Sequence, residues 1–113
     1  MITLPWPPSE LHPNARVHWS KRYKATKSCR QRAGWETKAA KPAVPQEGPI
    51  NVCIVFCPPD NRRRDIDGAL SSCKAYLDGV ADGLGVNDHR FKLAMEWGPV
   101  VCGGQVRVFL EGK

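Results

Sequence analysis

A chain of 113 residues, 42% hydrophobic, with a net charge of +6 and a pI near 9.3, has the size of one domain with a single core. No apolar run approaches the ~18 residues of a spanning helix, and no charged-then-apolar leader opens the sequence. The expectation is therefore a soluble, cytoplasmic protein with no membrane partner. The charge is unevenly placed. Residues 1–59 carry nine Lys/Arg and three Asp/Glu, whereas residues 60–113 carry eight of each. A basic first half fits a polyanionic partner but does not require one.

Ile2–Leu4 reads as a short apolar strand that stops in "PWPP". "LHPNARVHWSKR" is rich in turn formers and cations and reads as an exposed loop. Ser20 can cap a helix through "KRYKATKSCRQRAGWETKAA", whose large or buried-type residues are few: Tyr23, Cys29, Ala33 and Trp35. Most of that helix should face solvent or a ligand. "KPAVPQEG", residues 41–48, is a proline-punctuated linker. "PINVCIVFC" is almost continuously apolar and β-branched, so it reads as a buried central strand, ended by Pro58 and Pro59.

After Arg64 the residues Leu70, Cys73, Leu77, Val80, Ala81 and Leu84 recur at helical spacing, and Gly83 and Gly85 stop the run. One helix is expected here. "RFKLAMEW" and "QVRVFLE" alternate like half-buried strands around Gly103-Gly104, which predicts a C-terminal β-hairpin. The fold class expected is α+β: a mixed sheet with a C-terminal hairpin packed against two helices, in the order β-α-β-α-β-β, over residues 1–113. Cys29, Cys53, Cys57, Cys73 and Cys102 are odd in number and form no CxxC pair, so a reducing compartment is expected and a structural zinc is not. The four tryptophans Trp6, Trp19, Trp35 and Trp97 read as core and edge packing, with Trp19 left open as a base-stacking platform.

The chemistry-bearing stretch is "NRRRDIDGAL", Asn61–Leu70. At roughly 100° per residue, and with Leu77 at the centre of the apolar face, Asp67, Lys74 and Asp78 fall roughly 60–100° to the same side. Asp65 precedes the helix, and Asp88 stands in the loop after it. Crowded carboxylates suit Mg²⁺, a hard cation that takes one or two carboxylates with waters and phosphate oxygens. Such an ion, held by Asp65, Asp67 and Asp88, could activate water at a phosphodiester, with Lys74 stabilising developing charge. Arg62, Arg63 and Arg64 would grip phosphates, and Lys21, Arg22 and Lys24 would extend the contact. Each residue also has an ordinary reading. Asp67 serves equally as a helix N-cap, Lys74 and Asp78 as an i, i+4 pair, and Asp88 as a turn former beside His89.

The order of the parts resembles the RusA family of Holliday-junction resolvases, found in phages and prophages. The matching pieces are "ITLPWPPS", "FCPPDNRRRDIDGAL", "KAYLDGV" and "VND". The resemblance implies a Mg²⁺-dependent endodeoxyribonuclease, with Mn²⁺ as a possible substitute ion. It would be a homodimer that resolves four-way DNA by paired symmetric nicks in recombination and repair. It also implies Asp65, Asp67 and Asp88 as metal ligands and Lys74 as the essential lysine. The family commonly has Asn where Gly68 stands, and its lysine follows the second aspartate by four residues, whereas Lys74 follows Asp67 by seven. Two other readings remain: a non-catalytic basic module that recognises branched DNA, and an interaction protein whose basic helix meets a protein partner.

Overall fold

The computed structural model describes residues 1–111. Strand β1, Ile2–Pro5, leads through a 3₁₀ turn at Ser9–Leu11 into the long helix α1, Trp19–Ala40. Strand β2, Ile50–Cys57, is followed by the short helix α2, Ile66–Ser72, and by α3, Lys74–Leu84. A second 3₁₀ turn, Asp88–Arg90, precedes β3, Phe91–Trp97, and β4, Gln105–Glu111, completes the chain.

The four strands form one mixed sheet in the order β1-β4-β2-β3. Strand β2 runs antiparallel to β4 and parallel to β3, in register from Ile50↔Phe91 to Phe56↔Trp97. The helical crossover between β2 and β3 is what a parallel neighbour requires. Alternation places Ile2 and Leu4, then Ile50, Val52, Ile54 and Phe56, then Val106 and Val108 on one face, and all are buried. These residues form the core beneath α1 and α3. The α+β class and the mixed sheet are as expected from the pattern.

The C-terminal hairpin is not formed. Strands β3 and β4 both join the sheet, but β2 lies between them. Their connection, residues 98–104, crosses the end of β2, where Gly98 N–H donates to Phe56 O (2.9 Å) and Val101 N–H to Pro58 O (2.9 Å). The crossing needs a glycine: a Cβ at Gly98 would come within 2.7 Å of both Cys57 Sγ and Val55 Cγ1. Gly103 and Gly104 do adopt the left-handed backbone of a turn (φ 78° and 73°). They reverse the chain after the crossing rather than between paired strands.

The single helix expected after Arg64 is broken at Cys73. That residue leaves helical geometry (φ −100°, ψ 3°), and its N–H is shared among the carbonyls of Ala69, Leu70 and Ser71. Ser72 Oγ donates back to Gly68 O (2.9 Å), the side-chain competition that makes serine a poor helix-interior residue. Burial of Cys73 in the core then fixes the kink. The periodicity survived the break because Cys73, Val80 and Ala81 are buried on both sides of it, and Leu70, Leu77 and Leu84 pack against the same core.

Helix α1 is capped by His18, not Ser20: His18 Nδ1 accepts from the Ser20 N–H (3.2 Å). Cys29, Ala33, Gly34 and Thr37 are its buried residues, and the cations lie outside. Trp35 is 62% exposed, contrary to the packing role expected of it, because the buried stripe runs through Cys29, Ala33 and Thr37 on another side. Helices α1 and α3 meet through small residues. A Cβ at Gly79 would sit 2.1 Å from Arg30 O and 2.7 Å from Ala33 Cβ, and one at Gly83 would sit 2.7 Å from Thr37 Cβ. Arg30 closes the seam outside, donating to both oxygens of Asp82 (2.6 and 2.9 Å).

Candidate nucleic-acid interface

Strands β1 and β2 point the same way, so the Trp6–His12 and Pro58–Asp65 segments leave the sheet at one edge. Between them opens a cleft of about 530 Å³, lined among others by Trp6, Ser9, His12, Arg62, Arg63 and Asp65. The loop is shaped by Asp60. Its carboxylate accepts from the Arg62 N–H (2.9 Å), and this bond chiefly, with Arg64 and Arg62 nearby, holds its pKa below the usual carboxylate range. Arg64 pairs with Asp60 at 2.9 Å, donates to the Asp60 and Arg62 carbonyls (3.1 Å each), and lies 5.6 Å over the Trp6 ring.

The three arginines therefore differ. Arg64, with its side chain 18% exposed, ties the loop together. Arg62 lies 3.5 Å from Asp60 and keeps an exposed side chain. Arg63 is exposed and has no ion pair or hydrogen-bond partner among the described residues, so its guanidinium is available for a phosphate. Lys21 and Lys24 are likewise exposed in the first turns of α1, while Arg22 is half-buried and donates to Ala15 O (3.0 Å).

The carboxylates are dispersed. Asp65 is the N-cap residue of α2, without a side-chain cap bond, and lines the arginine cleft. Asp67 is exposed in the first turn of α2. Asp88 lies elsewhere, in a groove with Arg30, Asp78 and Asp82 on the flank of α3. Lys74 opens α3 after the break at Cys73, and its charge acts on Asp78. The projection that aligned Asp67, Lys74 and Asp78 assumed one helix, which Cys73 interrupts. Among the described residues no three His, Cys, Asp or Glu side chains converge so as to hold a metal ion. Asp65 and Asp88 line different grooves of the described structure. Asp65 and Asp67, both exposed at the start of α2, remain hard-oxygen donors of the kind Mg²⁺ takes with waters and phosphate oxygens.

Sequence reasoning missed His12 and Trp6 as cleft residues. His12 Nδ1 accepts from the Asn14 N–H (3.1 Å), and a Cβ on Gly68 would lie 3.4 Å from His12 Nε2. Gly68 thus lies against that ring, at a distance an added Cβ would meet as contact. No spacing rule links residues 12 and 68, so the pair was not legible. Cysteine chemistry has no place here: burial pushes the Cys73 thiol up, far from a reactive thiolate. His89 is exposed and borders a different groove with Gly48, Arg90 and Lys92.

No protein-family model matches the chain. The chain is 44% identical over 97 residues to an uncharacterized protein of Xylella fastidiosa (strain Temecula1), a match covering 80% of this chain and 61% of that protein. The chain therefore spans less than two thirds of the length of that relative.

Proposed function

We propose that this chain is a structure-selective endodeoxyribonuclease acting on four-way DNA junctions as a homodimer, in recombination and repair. The observation that carries the reading is the cleft where Arg62, Arg63 and Asp65 share one wall with Trp6 and His12 opposite. Exposed guanidinium groups hold phosphate oxygens, and an exposed carboxylate beside them is where phosphodiester chemistry needs a base or a metal ligand. Helix α1, with seven Lys/Arg against Glu36, offers a second track for the backbone of a DNA arm. Mg²⁺ is the cofactor of this reading; when held by Asp65 and Asp67 it would neutralise charge on the scissile phosphate and activate water.

A second reading has its own support. The placement of Asp65 and Asp88 in different grooves favours a module that binds branched DNA without cutting it. One experiment divides them: incubation of an end-labelled synthetic four-way junction with the protein in Mg²⁺ or EDTA, beside the matching linear duplex. Paired symmetric nicks in the junction, dependent on Mg²⁺ and lost in Asp67→Asn, are the expected result. Salt-sensitive junction binding without nicks in Mg²⁺ or Mn²⁺ would leave the binding module.

A further inference from the structure

The two edges of the sheet are built differently. Strand β1 is four residues long and ends in Pro5, the blunted form in which exposed edges are usually found. Strand β3, at the other edge, has seven residues without Pro or Gly and is hydrogen-bonded only to β2. Its register with β2 puts Leu93, Met95 and Trp97 on the helix-side face, and Trp97 meets the buried Phe56 ring at 5.6 Å. The helices do not cover this outer strand: Leu93 is 37%, Met95 38% and Trp97 40% exposed. A long apolar edge with backbone donors and acceptors turned outward is a template for another strand.

The sequence of β3 says which strand fits. Phe91-Lys92-Leu93-Ala94-Met95-Glu96-Trp97 is self-complementary about Ala94. In an antiparallel pair with a second copy, Ala94 faces the partner's Ala94, and Leu93 faces the partner's Met95. Phe91 faces the partner's Trp97. Lys92 faces the partner's Glu96, and the two-fold axis repeats that opposite-charge pair. A parallel in-register pair would instead set Lys92 against lysine and Glu96 against glutamate. We propose that β3 is the dimer interface of this protein, pairing antiparallel with β3 of a second copy about a two-fold axis at Ala94. The sheet then runs continuously through both copies.

This deepens the homodimer of the proposed function by naming its surface and register, and it has a consequence for the site. Strand β3 starts at the sheet edge opposite the one from which Pro58–Asp65 departs, because Phe91 pairs with Ile50 and Trp97 with Phe56. Antiparallel pairing reverses the partner's strand. It places the partner's Asp88, just ahead of the partner's Phe91, at the end of the sheet from which Pro58–Asp65 departs.

The test is molar mass by light scattering, with neither DNA nor metal, over a dilution series of the whole chain. The wild-type protein is expected to be a dimer. Lys92→Glu and Glu96→Lys, both at exposed positions, each place like charges opposite one another twice and should weaken dimerisation by about tenfold. Mixing the two variants should restore the dimer mass, since every pair across the axis is then opposite in charge. A monomeric wild-type protein across the series would overturn the proposal, as would single variants that dimerise as well as wild type or a mixture that stays monomeric. A dimer with this behaviour that never nicks a junction would leave the interface standing and remove only the nuclease reading.

Discussion

The α1–α3 seam and the arginine cleft both adjoin α2 and α3, and they are fixed by opposite physics. The seam is closed by absence of side chains: Gly79 and Gly83 let α3 approach Arg30 O and Thr37 to distances that no Cβ permits. The cleft is held open by charge, with Asp60 as the hub of two arginines and the Trp6 ring beneath Arg64. Close packing tolerates almost no change of volume, whereas exposed charges tolerate most substitutions and respond to salt. Stability and ligand binding should therefore separate cleanly between the two regions.

The largest effect belongs to the seam. Gly79→Val should destabilise the domain by at least about 3 kcal/mol, since both Arg30 O and Ala33 Cβ must yield. Thermal melting followed by circular dichroism should show a midpoint lower by about 12 °C or more. A midpoint within a few degrees of wild type would mean that the helices part easily and the seam is not close-packed.

The cleft should show the reverse pattern. Replacing Arg62 and Arg63 together by Ala should lower affinity for a four-way junction roughly tenfold or more and flatten the salt dependence by about two ions. Stability should stay within about 0.5 kcal/mol of wild type. Arg64→Ala sharpens the comparison inside the cleft. It removes hydrogen bonds to two carbonyls and an ion pair from a largely covered side chain, so it should cost about 1 kcal/mol of stability. Equal loss of binding and no loss of stability for all three arginines would erase the distinction drawn between them.

The difference between these regions also explains what the sequence disclosed. Strand β2 and the core face of α3 were legible because hydrophobic periodicity is a local record of burial. The kink at Cys73 was not, since the apolar spacing continues through it and only the Ser72 back-bond and the core position of Cys73 break the helix. Likewise "RFKLAMEW" and "QVRVFLE" were recognised as strands, but alternation carries no information about which strand lies between two others. The clue was the length of the 98–104 connection together with Gly98, whose close approach to Val55 and Cys57 is visible only in three dimensions. The candidate carboxylates were legible as residue types. The placement of Asp65 and Asp88 in different grooves depended on topology.

The smallest effects test the groove where Asp88 lies, and they oppose one another in sign. Asp78 and Asp82 stand one turn apart on α3. Burial first, then the Asp88 charge and a hydrogen bond that protonated Asp78 donates to that neighbour, push the Asp78 carboxyl up, against the pull of Arg30 and Lys74. A raised folded-state value means that ionised Asp78 opposes folding at neutral pH, and the opposition fades as pH falls through that value toward about 4. Asp78→Asn should therefore stabilise the protein at pH 7 by about half a kcal/mol, with the gain vanishing near pH 4. Asp82 is pulled down, chiefly by its hydrogen bonds from Arg30. Its contribution is present above about pH 4 and is lost as pH falls through the lowered value, so Asp82→Asn should destabilise at pH 7 by at most about 1 kcal/mol. Melting curves of the two variants should thus diverge in opposite directions at pH 7 and draw together only well below about pH 4, once both carboxyls are protonated.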